Sequence, residues 1–315
     1  MAEHVLPFDK AHTKWNKALP PAIEIDAGDT VSCETRSAGG RITPGCDAAV
    51  LSSFNFDRPL PLAGPIFVRD ARPGDVLEVE IQDVRPSRWG WSGIIPGFGL
   101  LAEDFPAPYI YHWDLSNGRD TALREDIVIP LDPFCGNMGV CPDVPHEVPI
   151  VPPGNFGGNM DIRHLTKGAT LLLPVQVEGA LFSAGDCHAA QGDGEVGGTG
   201  IESPTQFTLR FQVRKGIDLP GPQFLVPGPL TSKYDHAGYF ATTGVGPDLM
   251  PCAKQAIRAM IAYITRTYRL PPEAAYVLCS IVVDLKISEI VDAPNWIVSA
   301  YLPLSVFRGS RDRAQ

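Results

Sequence analysis

The chain lacks three features that would assign a protein early to a class. No stretch approaches the roughly 20 consecutive apolar residues that a membrane-spanning helix needs. The formal charge of −10 argues against a nucleic-acid partner, which would require a basic surface. The first residues show no basic segment followed by an apolar one, so no secretory signal is expected. We therefore expect a cytoplasmic protein that binds neither a membrane nor a nucleic acid.

Cysteine is also sparse in recognisable patterns, whereas glycine and proline are abundant. The seven cysteines are an odd number without a C-x-x-C pair, which favours reduced thiols. The 31 glycines and 31 prolines interrupt helices and favour short strands joined by turns. At 315 residues the chain is long enough for a large core. These features predict a mainly β fold, sandwich-like or barrel-like, with a smaller α+β C-terminal part. We place the division between residues 1–205 and 206–315.

Local patterns agree with this fold class. Apolar residues alternate over Val76–Ile81 and predict a strand. After Pro251, apolar residues recur at helical spacing until two prolines forbid continuation, which predicts one clear helix near 251–268. Residues 86–108 are rich in glycine, proline and aromatic residues and predict a long loop over the core, with a lid as one possible role.

The densest group of ligand-type residues follows the apolar segment Leu171–Val177. Asp186 and His188 are two residues apart, so in a strand their side chains lie on the same face. The glycine-rich turn that follows can direct Asp193 or Glu195 back towards the same place.

The same turn formally matches the dinucleotide fingerprint G-x-G-x-x-G, at Gly192, Gly194 and Gly197. Two acidic residues inside the phosphate cradle would repel a pyrophosphate, and no helix start follows. We therefore reject a nucleotide site.

A metal site fits these residues better. Asp161, Asp186 and His188 supply carboxylate and imidazole ligands of the kind found in hydrolytic zinc sites, with a position left open for water. We assign Glu195 as the proton carrier, with Asp193 as a second catalytic candidate on the same turn. Asn159, together with the backbone around Gly158, would hold a developing oxyanion.

Other interpretations of these residues stay open. An isolated Asp-x-His is more often a pair on a strand surface than a pair of ligands. Cys187 could act as a nucleophile, although in a strand it faces away from His188. Glu34 lies on a polar strand face and is typical of a solvated charge, while Glu202 is either a hydrogen-bonding partner of the site or a charge at a sheet edge.

Three segments carry a resemblance to the acetamidase/formamidase family of small-amide hydrolases. They are Gly158-Asn159-Met160-Asp161, Gly185-Asp186-Cys187-His188-Ala189 and Gln191-Gly192-Asp193-Gly194-Glu195-Val196. Flanking similarity extends in order over nearly the whole chain, from Pro20-Pro21-Ala22 to Asp284-Leu285-Lys286-Ile287-Ser288. Many members carry Pro-His where this chain has Asn155-Phe156, and an acidic residue two places after Glu34-Thr35 where this chain has Ser37.

The resemblance implies a mainly β homodimer that hydrolyses short linear amides to carboxylate and ammonia. It also implies a divalent metal, zinc or calcium, near the aspartate, histidine and glutamate of the central motif. Zinc is our first expectation. We add Gly158, Glu34 and Phe156 as substrate-binding candidates, since Phe156 in place of histidine would make the pocket more apolar.

We therefore predict a metal-dependent hydrolase that acts on acetamide-like or formamide-like substrates. Two alternatives remain. One is a non-catalytic β-rich module that binds a metal and a small ligand. The other is an amidase for aryl or longer-chain amides, with Trp89, Trp91 and Phe98 as pocket walls.

Overall fold

A computed structural model describes residues 1–40, 42–57, 61–217 and 219–308. Within these ranges strands predominate, and the two α-helices are α1 (Leu249–Tyr268) and α2 (Pro272–Val282). The strands, numbered in chain order, are β1 (Glu3–Leu6), β2 (Ala11–His12), β3 (Lys14–Trp15), β4 (Ile23–Ile25), β5 (Thr30–Thr35), β6 (Leu62–Val68), β7 (Val76–Pro86), β8 (Trp89–Ile94), β9 (Tyr109–Asp114), β10 (Asp120–Arg124), β11 (Ile127–Pro130), β12 (Phe134–Gly139), β13 (Val148–Pro149), β14 (Gly157–Asn159), β15 (Thr170–Pro174), β16 (Phe182–His188), β17 (Thr205–Arg214), β18 (Gln223–Leu225), β19 (Tyr239–Gly246), β20 (Asp284–Glu289) and β21 (Trp296–Pro303).

Two larger sheets pack face to face and enclose the first core. One has the strand order β1-β5-β17-β7-β15-β18, and the other has β14-β12-β16-β6-β2 with β4 paired to β6. Alternating residues such as Val79 and Ile81 of β7 point inwards and are buried, as their period of two predicts. Phe182 of β16 meets Phe211 of β17 at a ring-centroid distance of 5.2 Å across the interface. The predicted mainly β, sandwich-like fold is therefore confirmed.

The C-terminal part packs α1 and α2 with the sheet β19-β21-β20. The Asp248 side chain caps α1 by accepting a hydrogen bond of 2.9 Å from the Met250 backbone N–H. Arg269, with φ of 58°, ends the helix in the left-handed region. The predicted helix near 251–268 is confirmed and begins two residues earlier. Among the described residues, no helix combines the length and apolar composition that a membrane crossing requires.

The segment 86–108 is only partly a loop. Trp89–Ile94 forms β8 and pairs with β9 in antiparallel register, which corrects the predicted loop. Gly90 suggested a loop, but its missing side chain lets the strand pack closely, since a Cβ there would lie 2.8 Å from the Glu202 carbonyl oxygen.

The predicted division between 1–205 and 206–315 stays a prediction. Strand β17, which begins at residue 205, lies inside the first sheet, and β18 lies at its edge. Residues 309–315 of the second part lie outside the described residues.

Candidate metal centre

The site is built at the C-terminal end of β16, a strand whose seven residues are all buried. β16 lies between β12 and β6, so both of its edges are hydrogen-bonded and its side chains face packed layers. His188 Nε2 lies 3.7 Å from Asp186 Oδ1, while the Cys187 thiol points the other way, 3.3 Å from the sulfur of Cys135. The alternation of the strand thus brings Asp186 and His188 together and separates Cys187 from them.

Asp161 reaches the same place from the loop after β14. The backbone N–H of Asp161 donates a 3.1 Å hydrogen bond to the Gly136 carbonyl in β12. Its carbonyl accepts a 2.8 Å hydrogen bond from Gln191 Nε2, and its Oδ2 accepts one of 2.9 Å from Asn159 Nδ2. One ligand atom each from Asp161, Asp186 and His188 lie within 4.8 Å of one another. Two separate segments, the loop after β14 and the end of β16, therefore converge.

Glu195 and Glu202 complete the cluster around the same imidazole. His188 Nε2 lies 3.1 Å from Glu202 Oε1 and 3.9 Å from Glu195 Oε1. Glu202 is buried, and the backbone N–H of Gly200 donates a 3.1 Å hydrogen bond to its Oε1. The sequence left Glu202 undecided between a partner of the site and an edge charge. Its position next to Ile201, with no basic neighbour, was the available signal.

The cluster carries more negative charge than its own residues can neutralise. Within the described residues, its four carboxylates form no ion pair with lysine or arginine. Burial and the neighbouring acids raise the pKa of Asp161 to about 8, and burial raises the pKa of Glu195 well above its usual range. Burial would lower the pKa of His188, but the Glu202 and Asp186 carboxylates raise it well above its ordinary value.

The residues present fit a divalent metal ion. Asp161 Oδ1, Glu202 Oε2 and His188 Nδ1 are buried and have no hydrogen-bond partner. A Cβ on Gly136 would lie 2.9 Å from His188 Cε1 and closer still to Asp161 Oδ1, so only glycine leaves this space open. Carboxylate oxygens with one imidazole suit zinc, and a set this rich in carboxylates also suits calcium.

The profile of the acetamidase/formamidase family matches residues 7–149 and 146–309. The chain belongs to the acetamidase/formamidase family. It is an amidohydrolase, and the resemblance noted in the sequence is confirmed.

Individual relatives agree with the family assignment. The chain is 27% identical to a formamidase from Methylophilus methylotrophus, over 94% of this chain and 89% of that protein. Among solved structures, a gamma lactamase from Delftia acidovorans superposes with a TM-score of 0.90 at 25% identity, covering 96% of this chain and 93% of the other. An acetamidase from Bacillus halodurans is 32% identical with a TM-score of 0.68, covering 95% and 97%.

Backbone conformation sets this amidohydrolase site apart from its surroundings. Asp161, Asp186 and Glu195 have φ of 50°, 51° and 43°, in the left-handed region that non-glycine residues rarely adopt. Such conformations cost about 1–2 kcal/mol each and persist where the surrounding structure holds them. Three of the four acids are therefore placed by a strained backbone, as is common at functional sites.

Three predicted site residues, Glu34, Phe156 and Asp193, lie outside the cluster. Glu34 is exposed on β5 and borders a separate surface cavity with Arg85 and Gln206. Phe156 is buried against Trp15 at a ring-centroid distance of 5.5 Å, so it belongs to the core and not to a substrate pocket.

Asp193 turns away from the imidazole as well. Its carboxylate lies 3.7 Å from His164 Nε2, and its backbone N–H donates a 3.0 Å hydrogen bond to Asp284 Oδ1. The structure therefore brings only Glu195, and not Asp193, from this turn to the cluster. The predicted catalytic role of Asp193 stays a prediction, with its carboxylate beside His164 and not beside His188.

The cluster opens into a small cavity of about 50 Å³. Asn159, Asp186, Glu195 and Glu202 are among the polar residues that line it. Gly158 lies beside Asn159 in β14, where it pairs with Met138 of β12. The carboxylates therefore share a small cavity with apolar side chains, as the polar groups of small-molecule sites do.

Proposed function

We propose that this chain hydrolyses the C–N bond of small neutral carboxamides with a divalent metal bound at the cluster. The observation that carries the proposal is the gathering of four buried or half-buried carboxylates around His188, with unpartnered oxygens on Asp161 and Glu202, in a chain of the acetamidase/formamidase family. Asp161, Asp186 and His188 would hold the metal, with Glu202 beside them. Zinc is the first candidate and calcium the second.

The chemistry of the bound ion would be Lewis-acid activation of water or of the amide carbonyl at neutral pH. The residues of the chain then position and transfer protons. Glu195 borders the cavity and lies close to the imidazole, so it can take the proton of the attacking water and deliver it to the leaving nitrogen. The products of a primary amide are a carboxylate and ammonia, with one water consumed.

Asn159 has two tasks in this proposal. Its amide N–H already holds Asp161, and its own oxygen accepts a 3.3 Å hydrogen bond from Asn137 Nδ2. The remaining N–H is available for the developing oxyanion, as the sequence predicts.

Metal analysis combined with ammonia release tests the proposal. Purified protein should contain about one divalent ion and release ammonia from simple amides, and chelation should abolish turnover until metal is restored. His188→Ala should lose both the metal and the activity, whereas His236→Ala, at an exposed histidine, should lose neither. Full turnover in metal-free protein would contradict the metal role. Bound metal and a bound small ligand without any turnover would favour the non-catalytic module.

A second candidate substrate is a lactam. The Delftia acidovorans protein with a TM-score of 0.90 is a gamma lactamase, and opening a lactam breaks the same type of C–N bond. A cyclic amide releases an amino acid and no ammonia, so chromatographic detection of the ring-opened product separates the two substrates.

The homodimer and the cytoplasmic location stay predictions. Light scattering coupled to size-exclusion chromatography tests the first.

A further inference from the structure

Aromatic rings line the cavity together with the carboxylates. Phe54 and Phe56 lie at a ring-centroid distance of 4.9 Å, and Phe56 and Phe98 at 5.0 Å, so the three rings form a continuous wall. The buried Trp91 and Ile95 extend the apolar lining. Such a wall contacts flat apolar groups well, because aromatic pairs gain from offset and edge-to-face contact.

The wall is directly connected to the turn that carries Glu195. The Gly198 N–H donates a 2.8 Å hydrogen bond to the Glu195 carbonyl. The Phe98 ring rests on Gly198, where a Cβ would meet Phe98 Cδ1 at 2.6 Å. An acyl group seated on the rings would therefore lie in the same cavity that Glu195 lines.

Charge narrows the class of substrate further. The described residues that line the cavity include three carboxylates and no lysine, arginine or histidine. An acyl group that lies on the rings, away from the proposed metal, would find no cationic side chain among these residues to pair with a carboxylate of its own. A neutral acyl group is therefore favoured.

We propose that this site selects primary carboxamides whose acyl group is a flat, apolar ring, with Phe56 and Phe98 as specificity-determining residues. This inference rests on the proposed amide hydrolysis. Acetamide, with a single methyl group, would leave the ring wall uncovered, whereas benzamide would cover it.

The test compares benzamide with acetamide as substrates of the metal-loaded protein. The kcat/KM for benzamide should exceed that for acetamide at least tenfold. Phe56→Ala and Phe98→Ala should each lower this ratio roughly three- to tenfold, the range expected for lost aromatic contacts. Phe224→Ala is the matched control, because Phe224 is 44% exposed and Phe56 40%, and Phe224 lies on β18 away from the cavity. Equal rates on both amides, or an unchanged ratio in both cavity variants, would overturn the inference.

Calorimetric binding of benzamide separates this inference from the proposed function. Cleavage of acetamide without preference for benzamide leaves amide hydrolysis standing and removes the ring selectivity. Benzamide binding that weakens roughly three- to tenfold in Phe98→Ala, without cleavage of either amide, supports the ring pocket and contradicts the hydrolysis. Absence of both binding and cleavage overturns both. Phe98→Leu keeps an apolar side chain without the ring and serves if Phe98→Ala does not fold.

Discussion

Two histidines lie at opposite ends of β16, and their surroundings differ in charge. His12 packs against the start of the strand, and His188 is its last residue. His12 lies against Ser183 at the start of the strand, with Nε2 at 2.8 Å from the hydroxyl and Nδ1 at 2.8 Å from the Lys14 carbonyl. Burial among neutral groups lowers the pKa of His12 to about 4. His188, at the other end, is also buried, yet its acidic neighbours raise its pKa. Neighbouring charge, and not burial alone, decides the state of each imidazole.

A second buried acid near the metal centre shows what neutralisation within the chain looks like. Asp284 forms an ion pair with the buried Arg163, whose guanidinium lies 5.1 Å from the Tyr234 ring centre. Asp284 has its cation within the chain, whereas the carboxylates around His188 have no lysine or arginine partner among the described residues. The comparison explains why only the carboxylates around His188, and not Asp284, are expected to take up an external cation.

The largest expected effect comes from removing the shared imidazole. His188→Ala should lower kcat/KM for an amide substrate by roughly three orders of magnitude, because loss of a metal ligand removes several kcal/mol of charge stabilisation. Ammonia release and metal content measured on the same sample check this. Retained activity in a folded, metal-free variant would contradict the inference that the carboxylates around His188 need an external cation.

The next effect concerns the neutralised acid. Arg163→Met should lower the free energy of unfolding by about 3–5 kcal/mol, because it leaves the Asp284 charge buried without a partner. The loss should be the same with and without added metal, as measured by urea unfolding. If metal restored the stability, Asp284 would belong to the metal centre and the distinction between the two acid groups would be lost.

A smaller effect should follow from filling the space beside the ligands. Gly136→Ala should weaken metal binding roughly 10- to 100-fold, the range seen when the surroundings of ligands are disturbed. The added methyl group would displace Asp161 or His188. Gly221→Ala is the control, since a Cβ there meets nothing within 4 Å. Competitive metal titration measures both variants, and equal affinity would show that the site tolerates the methyl group.

The smallest effect concerns pH and the His12 end of the strand. Since the pKa of His12 is about 4 in the folded chain and 6.5 in the unfolded one, the unfolded chain binds the additional proton first as pH falls. The contribution of the neutral His12 to the free energy of unfolding is complete above pH 6.5 and is lost progressively towards pH 4. The loss at pH 5 amounts to about 2 kcal/mol. Urea unfolding at pH 7 and pH 5 should show this loss in the wild type and a smaller one in His12→Gln. An identical pH dependence in both would assign it to other groups.

The sequence predicted much of the fold and named four of the five residues of the cluster, all except Glu202. Alternation predicted the strands, and proline with apolar spacing predicted α1, because both depend on neighbouring residues. The same two-residue period placed Asp186 and His188 on one face. Glu202 could not be assigned, because its partner His188 is brought to it only by pairing between segments.

Where a site prediction differed from the structure, tertiary contacts had placed the side chain elsewhere. Phe156 looked like a pocket residue, but Trp15 from the N-terminal region covers it. Asp193 and Glu195 were equivalent in sequence, yet Asp284 holds the backbone of the first and turns only the second towards the imidazole. The wall of Phe54, Phe56 and Phe98 likewise assembles from two separate segments.

The sequence by itself determined the strand-rich fold, the main helix, the acidic character and the family, because these follow from residue type and short-range spacing. Only the tertiary structure decided which acids share one buried imidazole, which acid keeps an arginine, and which rings line the cavity. The physical reason is that charge and desolvation act through distances in space, and those distances are set by contacts between residues far apart in the chain.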